Sequence, residues 1–223
     1  MDIGDYVVHI VDDEESVRRS LAFLLTTAGF TVRMHTSATA ILQVAPTLKN
    51  ACLVTDLRMP DMNGVELLRS LNAANASIPS IVITGHADVP MAVEAMKAGA
   101  LDFIEKPFDD DVLIEAIHRA AEHLTGRPLG VDDIAVVEAR YRCLSERERE
   151  VLASVVEGLA NKTIAYNLHI SPRTVEIHRA NVMSKMQAKS LAELVRMTLA
   201  TDLHQQKLAG GLISRKAHSA ATV

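Results

Sequence analysis

Residues 7–15 read VVHIVDDEE, a short apolar run that ends in four consecutive carboxylates. The β-branched run, interrupted only by His9, predicts a strand that is buried on both faces. Over residues 17–28 the apolar side chains instead recur at three- and four-residue spacing, which predicts a helix, and Gly29 suits its end. The chain therefore opens with a buried strand followed by a helix.

The same alternation of strand and helix continues through the first half of the chain. Further strands are predicted at Thr31–Met34, Cys52–Thr55, Ile81–Thr84 and Leu101–Glu105, and helices at about 37–45, 64–74, 88–98 and 109–123. Because parallel strands need crossover connections, this order predicts a doubly wound α/β domain with a parallel sheet over residues 1–124.

Polar side chains follow the predicted strands. Asp12 and Asp13 follow the first strand, Asp56 the third, Thr84 ends the fourth, and Lys106 follows the fifth. An acidic helix start and ordinary loop residues account for each position separately. Because ligands of such sheets bind outside the carboxyl ends of the strands, the positions together predict one shared site.

The residue types at this edge predict phosphoryl chemistry. Three close carboxylates repel one another, and Mg²⁺, which takes oxygen ligands, relieves that repulsion. A carboxylate beside the ion can attack phosphorus and become an aspartyl phosphate, while a lysine neutralises charge on the transferred group. The strand ends thus predict a site for Mg²⁺ and a phosphoryl group.

Charge divides the 223-residue chain into an acidic and a basic part. Residues 1–124 hold 9 Lys and Arg against 18 Asp and Glu, whereas residues 160–223 hold 9 against 3. Chance scatter over solvated surfaces gives such asymmetry too, but different partners for the two parts are the more informative interpretation. Aromatic residues make up only 3%, which argues against a stacking platform for single-stranded nucleic acid.

The basic part is predicted to be helical. A linker over residues 125–143 starts with TGRPLG and continues as a helix over 131–142. Ser145 and Glu148 fit a capping box, and Asn161 is predicted to cap a short helix. Ser171, followed by proline, caps a third helix that ends near Gln187, and the next helix is predicted at Ser190–Thr201.

Two short helices joined by a tight turn, the second of them basic and well capped, are typical of helix-turn-helix DNA recognition, although a protein-binding helical bundle has the same pattern. Basic residues cluster around this unit, as contacts to DNA phosphates require. They are Lys162, Arg173, Arg179, Lys185 and Lys189.

The motifs HIVDDEE, VTDLRMPDMNG, VITGHADV and DFIEKPF resemble the receiver domain of two-component response regulators, over residues 6–123. The resemblance implies that Asp56 is the phosphoryl acceptor, and that Mg²⁺ is held by Asp12, Asp13, Asp56 and the main chain of Arg58. It further implies a phosphoryl-binding and switch group comprising Thr84, Phe103, Lys106 and Pro107, with a cis Lys106–Pro107 bond. The dimer face it implies comprises Val93, Lys97 and Asp102.

The motifs LSERERE, GLANKTIAYNLHIS and TVEIHRANVMSKM resemble the LuxR-type helix-turn-helix domain, which places that domain at 144–203. With the receiver, this is the architecture of the NarL/FixJ family. The resemblance implies a recognition helix from Ser171, with phosphate-binding and base-facing side chains. The implied DNA-binding residues are Lys162, Thr163, Ser171, Arg173, Thr174, Glu176, Ile177, Arg179, Ala180 and Lys185.

Together these observations predict a transcription activator that a sensor histidine kinase phosphorylates, that dimerises, and that binds double-stranded promoter DNA and RNA polymerase. The run GHADVPMAVEAMKAGALDFIEKPF resembles regulators of nitrogen-fixation genes within the family. Two alternatives remain, a Mg²⁺-dependent aspartyl phosphotransferase or phosphatase and a protein-binding adaptor. No signal pattern or membrane-length apolar run occurs, so a cytoplasmic protein is expected, with a disordered tail at 204–223.

Overall fold

A computed structural model describes residues 6–76, 78–85, 89–124 and 134–201. The chain forms two compact units, Met1–Gly130 and Val131–Val223. The predicted linker start at 125–130 and the predicted tail at 204–223 lie outside the described residues. Within the described part of the chain, no helix is long and apolar enough to cross a membrane.

The first unit contains the predicted α/β alternation. Its strands are β1 (Val7–Val11), β2 (Thr31–His35), β3 (Ala51–Asp56), β4 (Ser80–Thr84) and β5 (Asp102–Glu105). Its helices are α1 (Glu15–Thr27), α2 (Ala38–Val44), α3 (Gly64–Ala73), α4 (Val89–Lys97) and α5 (Asp110–Leu124). The predicted strands are confirmed, and each strand end differs from its prediction by no more than one residue.

The five strands form one parallel sheet in the order β2-β1-β3-β4-β5. From β1 the chain first adds β2 on one side and then crosses to β3 on the other. The strand order therefore reverses between β1 and β3. A crevice at such a reversal, beside the carboxyl ends of the strands, is where doubly wound sheets bind ligands.

Helices cover both faces of this sheet, which explains the continuous apolar runs in the central strands. On one face Ile10 packs in a cluster with Leu25 of α1 and Ile117 of α5, all fully buried. On the other, Leu53 packs with Leu67 of α3. Strand β2 lies at the edge of the sheet and is only partly covered. The core thus fixes the positions of β1 and β3, and with them the residues at their carboxyl ends.

A pair of histidines, His9 on β1 and His35 on β2, interrupts the apolar side chains of the sheet. His9 is 2% exposed, and its Nδ1 lies 2.8 Å from Nε2 of His35, so one imidazole donates to the other. Burial is the main cause that lowers the pKa of His9, from its usual 6.5 to about 4, and the positive potential of His35 and Arg33 adds to it. His9 is therefore neutral in the folded protein at pH 7.

The low pKa of His9 predicts that the first unit is acid-sensitive. The unfolded chain binds a proton on this residue below pH 6.5 but the folded chain only near pH 4, so stability present above 6.5 is lost as the pH falls between these values. The slope from one such proton is at most about 1.4 kcal/mol per pH unit. Urea unfolding of the first unit should show a shallower pH slope in His9→Gln. Equal slopes in His9→Gln and the exposed control His123→Gln would contradict this.

The second unit is helical, as predicted. Its helices are α6 (Ile134–Arg142), α7 (Glu146–Val156), α8 (Asn161–Asn167), α9 (Pro172–Met186) and α10, whose described part runs from residue 191 to residue 201. The capping box of Ser145 and Glu148 is confirmed at the start of α7. Ser171 caps α9 by accepting from the Thr174 amide, and Gln187 ends that helix in a left-handed conformation.

Two sequence predictions about this unit need correction. Ala160, rather than Asn161, is the residue that precedes the first turn of α8, and no side chain caps that helix. Instead, the Asn161 side chain accepts a hydrogen bond from Arg179 at 2.8 Å. The helix predicted within the linker belongs to the second unit, because Val137 of α6 is buried in its core with Met186.

Candidate functional site

Two carboxylates and one ammonium meet at the carboxyl edge of the sheet. Lys106 Nζ lies 2.9 Å from Asp56 Oδ1 and 3.3 Å from Asp12 Oδ2. Asp12 directly follows β1 and Asp56 ends β3, which are neighbouring strands, and Lys106 directly follows β5. The predicted meeting of Asp12, Asp56 and Lys106 is thus found in the structure.

A tight loop after β3 orients Asp56. The Arg58 amide donates to Asp56 Oδ2 at 2.6 Å, so one carboxylate oxygen faces the main chain while the other faces Lys106. Gly64 closes the loop by donating to the Leu57 carbonyl at 2.9 Å. A Cβ at Gly64 would lie 2.7 Å from the Asp56 carbonyl oxygen, which only a glycine avoids. The loop therefore presents the Asp56 side chain in one orientation.

Burial and charge shift the pKa values of two groups at the site. Burial raises the pKa of Asp12, with a contribution from Asp56, although the Glu14 amide and Lys106 act in the opposite direction. Burial disfavours the charged form of Lys106, but hydrogen bonding and attraction from Asp56 and Asp12 outweigh it and raise the pKa of Lys106. The lysine is therefore a fixed positive charge between the two carboxylates.

Thr84, Phe103 and Pro107 are the residues that the sequence predicted to act with Lys106. Thr84 ends β4 and is 1% exposed, and its carbonyl accepts from the Lys106 amide at 2.8 Å. Phe103 lies on the edge strand β5 and is partly exposed. The Lys106–Pro107 peptide bond is cis, as predicted. The chain places these four residues on adjacent strands, β4 and β5, or directly after them.

The donor set fits Mg²⁺ in part. Asp12 and Asp56 present two carboxylates to one point, which suits an ion that takes one or two carboxylates and completes its shell with carbonyl oxygen and water. Asp13 is exposed next to them. Among the described residues, no group of three or more His, Cys, Asp or Glu side chains is arranged to hold a metal ion. The three-carboxylate cluster predicted from the sequence is therefore not assembled here.

Two of the three residues of the predicted dimer face are buried in the free chain, and the face itself stays a prediction. Val93 is 1% exposed and packs inward from α4, so it is not a surface residue. Asp102 is 7% exposed, and it accepts a hydrogen bond from Arg119 of the same chain. Lys97 is exposed, as predicted. In the free chain Asp102 is thus already paired with Arg119.

One face of α9 carries polar and apolar side chains that are open to solvent. Val175 and Val182 are buried on the opposite face. Ile177 is 51% exposed. The exposed stripe comprises Arg173, Glu176, Ile177 and Ala180, which the sequence predicted to lie there. At the start of α9, Ser171 Oγ lies 2.7 Å from Thr174 Oγ1, and Lys162 and Thr163 are exposed on α8.

Two predicted phosphate contacts are engaged within the domain. Lys185 Nζ donates to Glu148 Oε2 at 2.7 Å, and Arg179 donates to the Asn161 side chain. Because the Arg179 guanidinium is partly removed from solvent, burial lowers its pKa. In the free chain both side chains hold α9 against α7 or α8, and contact of Lys185 and Arg179 with phosphates stays a prediction.

Sequence reasoning missed the contacts that anchor α9. Glu148 accepts from both the Ser145 amide and Lys185, and so joins the start of α7 to the end of α9. Arg140 of α6 donates to the Met186 carbonyl at 3.3 Å. The capping box gave a signal for Glu148, but no sequence pattern links it to a lysine 37 positions later.

Comparison with known proteins assigns both units. Residues 8–118 match the family model of the response regulator receiver domain, and residues 142–198 match that of bacterial regulatory proteins of the luxR family. The chain is 69% identical over 196 residues to the transcriptional regulatory protein FixJ of Rhizobium meliloti. That match covers 88% of this chain and 96% of the relative.

The chain is a FixJ-like response regulator. Solved structures of FixJ proteins agree with this assignment. The crystal structure named FixJ-N shares 72% identity and a TM-score of 0.52, over 53% of this chain and 95% of that one. Full-length FixJ from B. japonicum shares 45% identity and a TM-score of 0.50, over 89% and 98%. The FixJ-like regulator is therefore a transcriptional regulator with a receiver domain and a LuxR-type DNA-binding domain.

Proposed function

We propose that Asp56 accepts a phosphoryl group from a sensor histidine kinase, and that the phosphorylated chain dimerises and activates transcription in the cytoplasm. The observation that carries this proposal is the convergence of Asp12, Asp56 and Lys106 at the carboxyl edge of the sheet. Similarity to FixJ proteins supports nitrogen-fixation genes as targets, and activation implies contact with RNA polymerase.

The chain supplies the groups for this transfer. An Asp56 carboxylate oxygen attacks phosphorus as the bond from phosphorus to the kinase imidazole nitrogen breaks, and the imidazole leaves. Asp12, Asp56 and the Arg58 carbonyl, with the adjacent Asp13, would hold Mg²⁺, which when bound offsets the negative charge of the phosphoryl group. Lys106 is held beside Asp56 to neutralise one phosphoryl oxygen.

Transmission to the second unit requires two conformations of the receiver. Thr84 contributes a hydroxyl that donates to a phosphoryl oxygen, and Phe103, partly exposed on the edge strand, reorients as Thr84 moves. A phosphoryl group that stabilises one conformation by a few kcal/mol shifts the population toward it. The α4–β5 surface, with Lys97 exposed, then forms the two-fold dimer contact.

An aspartyl phosphatase is a weaker assignment. Haloacid-dehalogenase-type phosphatases place a second aspartate two residues after the nucleophile, as the general acid. In this chain that position is Arg58, whose amide donates to Asp56, and no carboxylic acid is available there. We therefore assign Asp56 to a regulatory phosphoryl group and not to catalytic turnover. The luxR-family match likewise favours DNA over the protein-binding adaptor.

Light scattering coupled to gel filtration tests the proposal. With Mg²⁺ and beryllium fluoride, which stands in for the phosphoryl group, the full chain should double its mass, and its affinity for duplex promoter DNA should rise. Binding should weaken steeply with salt, because Lys and Arg displace counterions from phosphates. Unchanged mass and unchanged DNA affinity with the phosphoryl analogue would contradict the proposal.

A further inference from the structure

An ion pair lies on the exposed face of the recognition helix α9. Arg173 Nη1 donates to Glu176 Oε2 at 2.9 Å, although the two side chains are 81% and 50% exposed. Exposed pairs three residues apart contribute little to helix stability. The pair instead holds a guanidinium and a carboxylate side by side on a surface that faces solvent in the free protein.

The position of the pair matches the part of a recognition helix that meets bases. Arg173 and Glu176 are the second and fifth residues of α9, and such helices place their N-terminal residues against base edges. Ile177 and Ala180 continue the same stripe at three- and four-residue spacing. Because Val175 of the opposite face is fully buried, this stripe is the one that α9 presents to the major groove.

The pair is chemically complementary to a G·C base pair. In the major groove guanine offers two acceptors, N7 and O6, and cytosine offers the N4 amino donor beside O6. Arg173 uses Nη1 for Glu176, so that Nη2 and Nε remain to donate to guanine. Glu176 keeps oxygen lone pairs that can accept from cytosine N4.

We propose that Arg173 and Glu176 act as one unit that reads a G·C base pair, and that Arg173 determines sequence specificity instead of contacting a phosphate. This inference rests on DNA binding by the second unit. It assigns the phosphate role to residues outside the stripe, of which Lys162 on α8 is exposed. Ile177 and Ala180 then meet the next base pair, where a small apolar surface suits a thymine methyl group.

Selection from a random duplex pool by the full chain, with Mg²⁺ and beryllium fluoride, tests the inference. The wild-type protein should select a site with one strongly preferred G·C pair. Arg173→Ala should lose about 10- to 100-fold of the discrimination at that pair, with the salt dependence of binding unchanged. Arg173→Lys should fail to restore it, because an ammonium lacks the planar fork of donors. Glu176→Gln should weaken the preference at the same base pair.

Lys162→Ala is the matched control. It should weaken binding to all sequences alike and reduce the salt slope by about one. The same uniform loss in Arg173→Ala, with rescue by Arg173→Lys, would overturn the inference while leaving DNA binding intact. A wild-type chain that selects no duplex sequence would overturn DNA recognition as a whole. Because Arg173 is 81% exposed, its variants should unfold at the wild-type temperature, which calorimetry checks.

Discussion

Asp56→Asn should abolish phosphorylation, and with it the dimerisation and the gain in DNA affinity that a phosphodonor produces. Asparagine keeps the shape of the side chain and an oxygen that can accept from the Arg58 amide. It removes the nucleophilic carboxylate and the ion pair with Lys106. Intact-mass spectrometry after incubation with acetyl phosphate and Mg²⁺ should therefore show no phosphoryl adduct.

Asp61→Asn is the matched control for this substitution. Asp61 lies in the same loop, is exposed, and accepts from the amide and hydroxyl of Thr39. The exchange removes the same charge but should leave phosphorylation at the wild-type level. A phosphoryl adduct of full intensity on Asp56→Asn would show that another residue is the acceptor. Asp12 and Asp13, which follow the neighbouring strand β1, would then be the first carboxylates to test.

The architecture of the receiver could be predicted because each element has a local cause. The run of β1 is apolar except at His9 because helices cover both faces of the sheet, and the polar residues after each strand converge because all strands are parallel. The sheet order then brings β1 and β3 together, and so Asp12 next to Asp56. Capping residues such as Ser145 and Ser171 likewise marked helix starts correctly.

Side-chain partners could not be predicted in the same way. Val93 was assigned to a surface, but α4 buries Ala92, Val93, Ala95 and Met96, a wider apolar face than a single stripe. Lys185 is a basic residue of the type that contacts phosphates, yet its partner is a carboxylate on another helix. Both outcomes depend on which helix packs against which, and helical periodicity within one segment carries no information on that.

Glu148→Ala should destabilise the second unit by about 3 kcal/mol, because it removes both the charged hydrogen bond from Lys185 to a buried carboxylate and a capping box. Glu148 is 4% exposed and accepts from Lys185 and from the Ser145 amide, each at 2.7 Å. Chemical unfolding of the full chain, followed through the transition of the second unit, measures the loss. Glu146→Ala, which removes an exposed carboxylate from the same helical turn, is the control and should change stability little.

The pH dependence of stability and a substitution of Lys185 test the same ion pair. Hydrogen bonds from Lys185 first, and from Ser145 next, lower the pKa of Glu148 to about 2 from its usual 4.5, so the stabilisation is present above pH 4.5 and is lost as the pH falls toward 2. Lys185→Ala should remove most of the same stability, and a double-mutant cycle with Glu148→Ala should show strong coupling. If Lys185→Ala instead left stability unchanged and reduced the salt slope of DNA binding, the lysine would be a phosphate contact, and α9 would be anchored chiefly by Arg140 and Arg179.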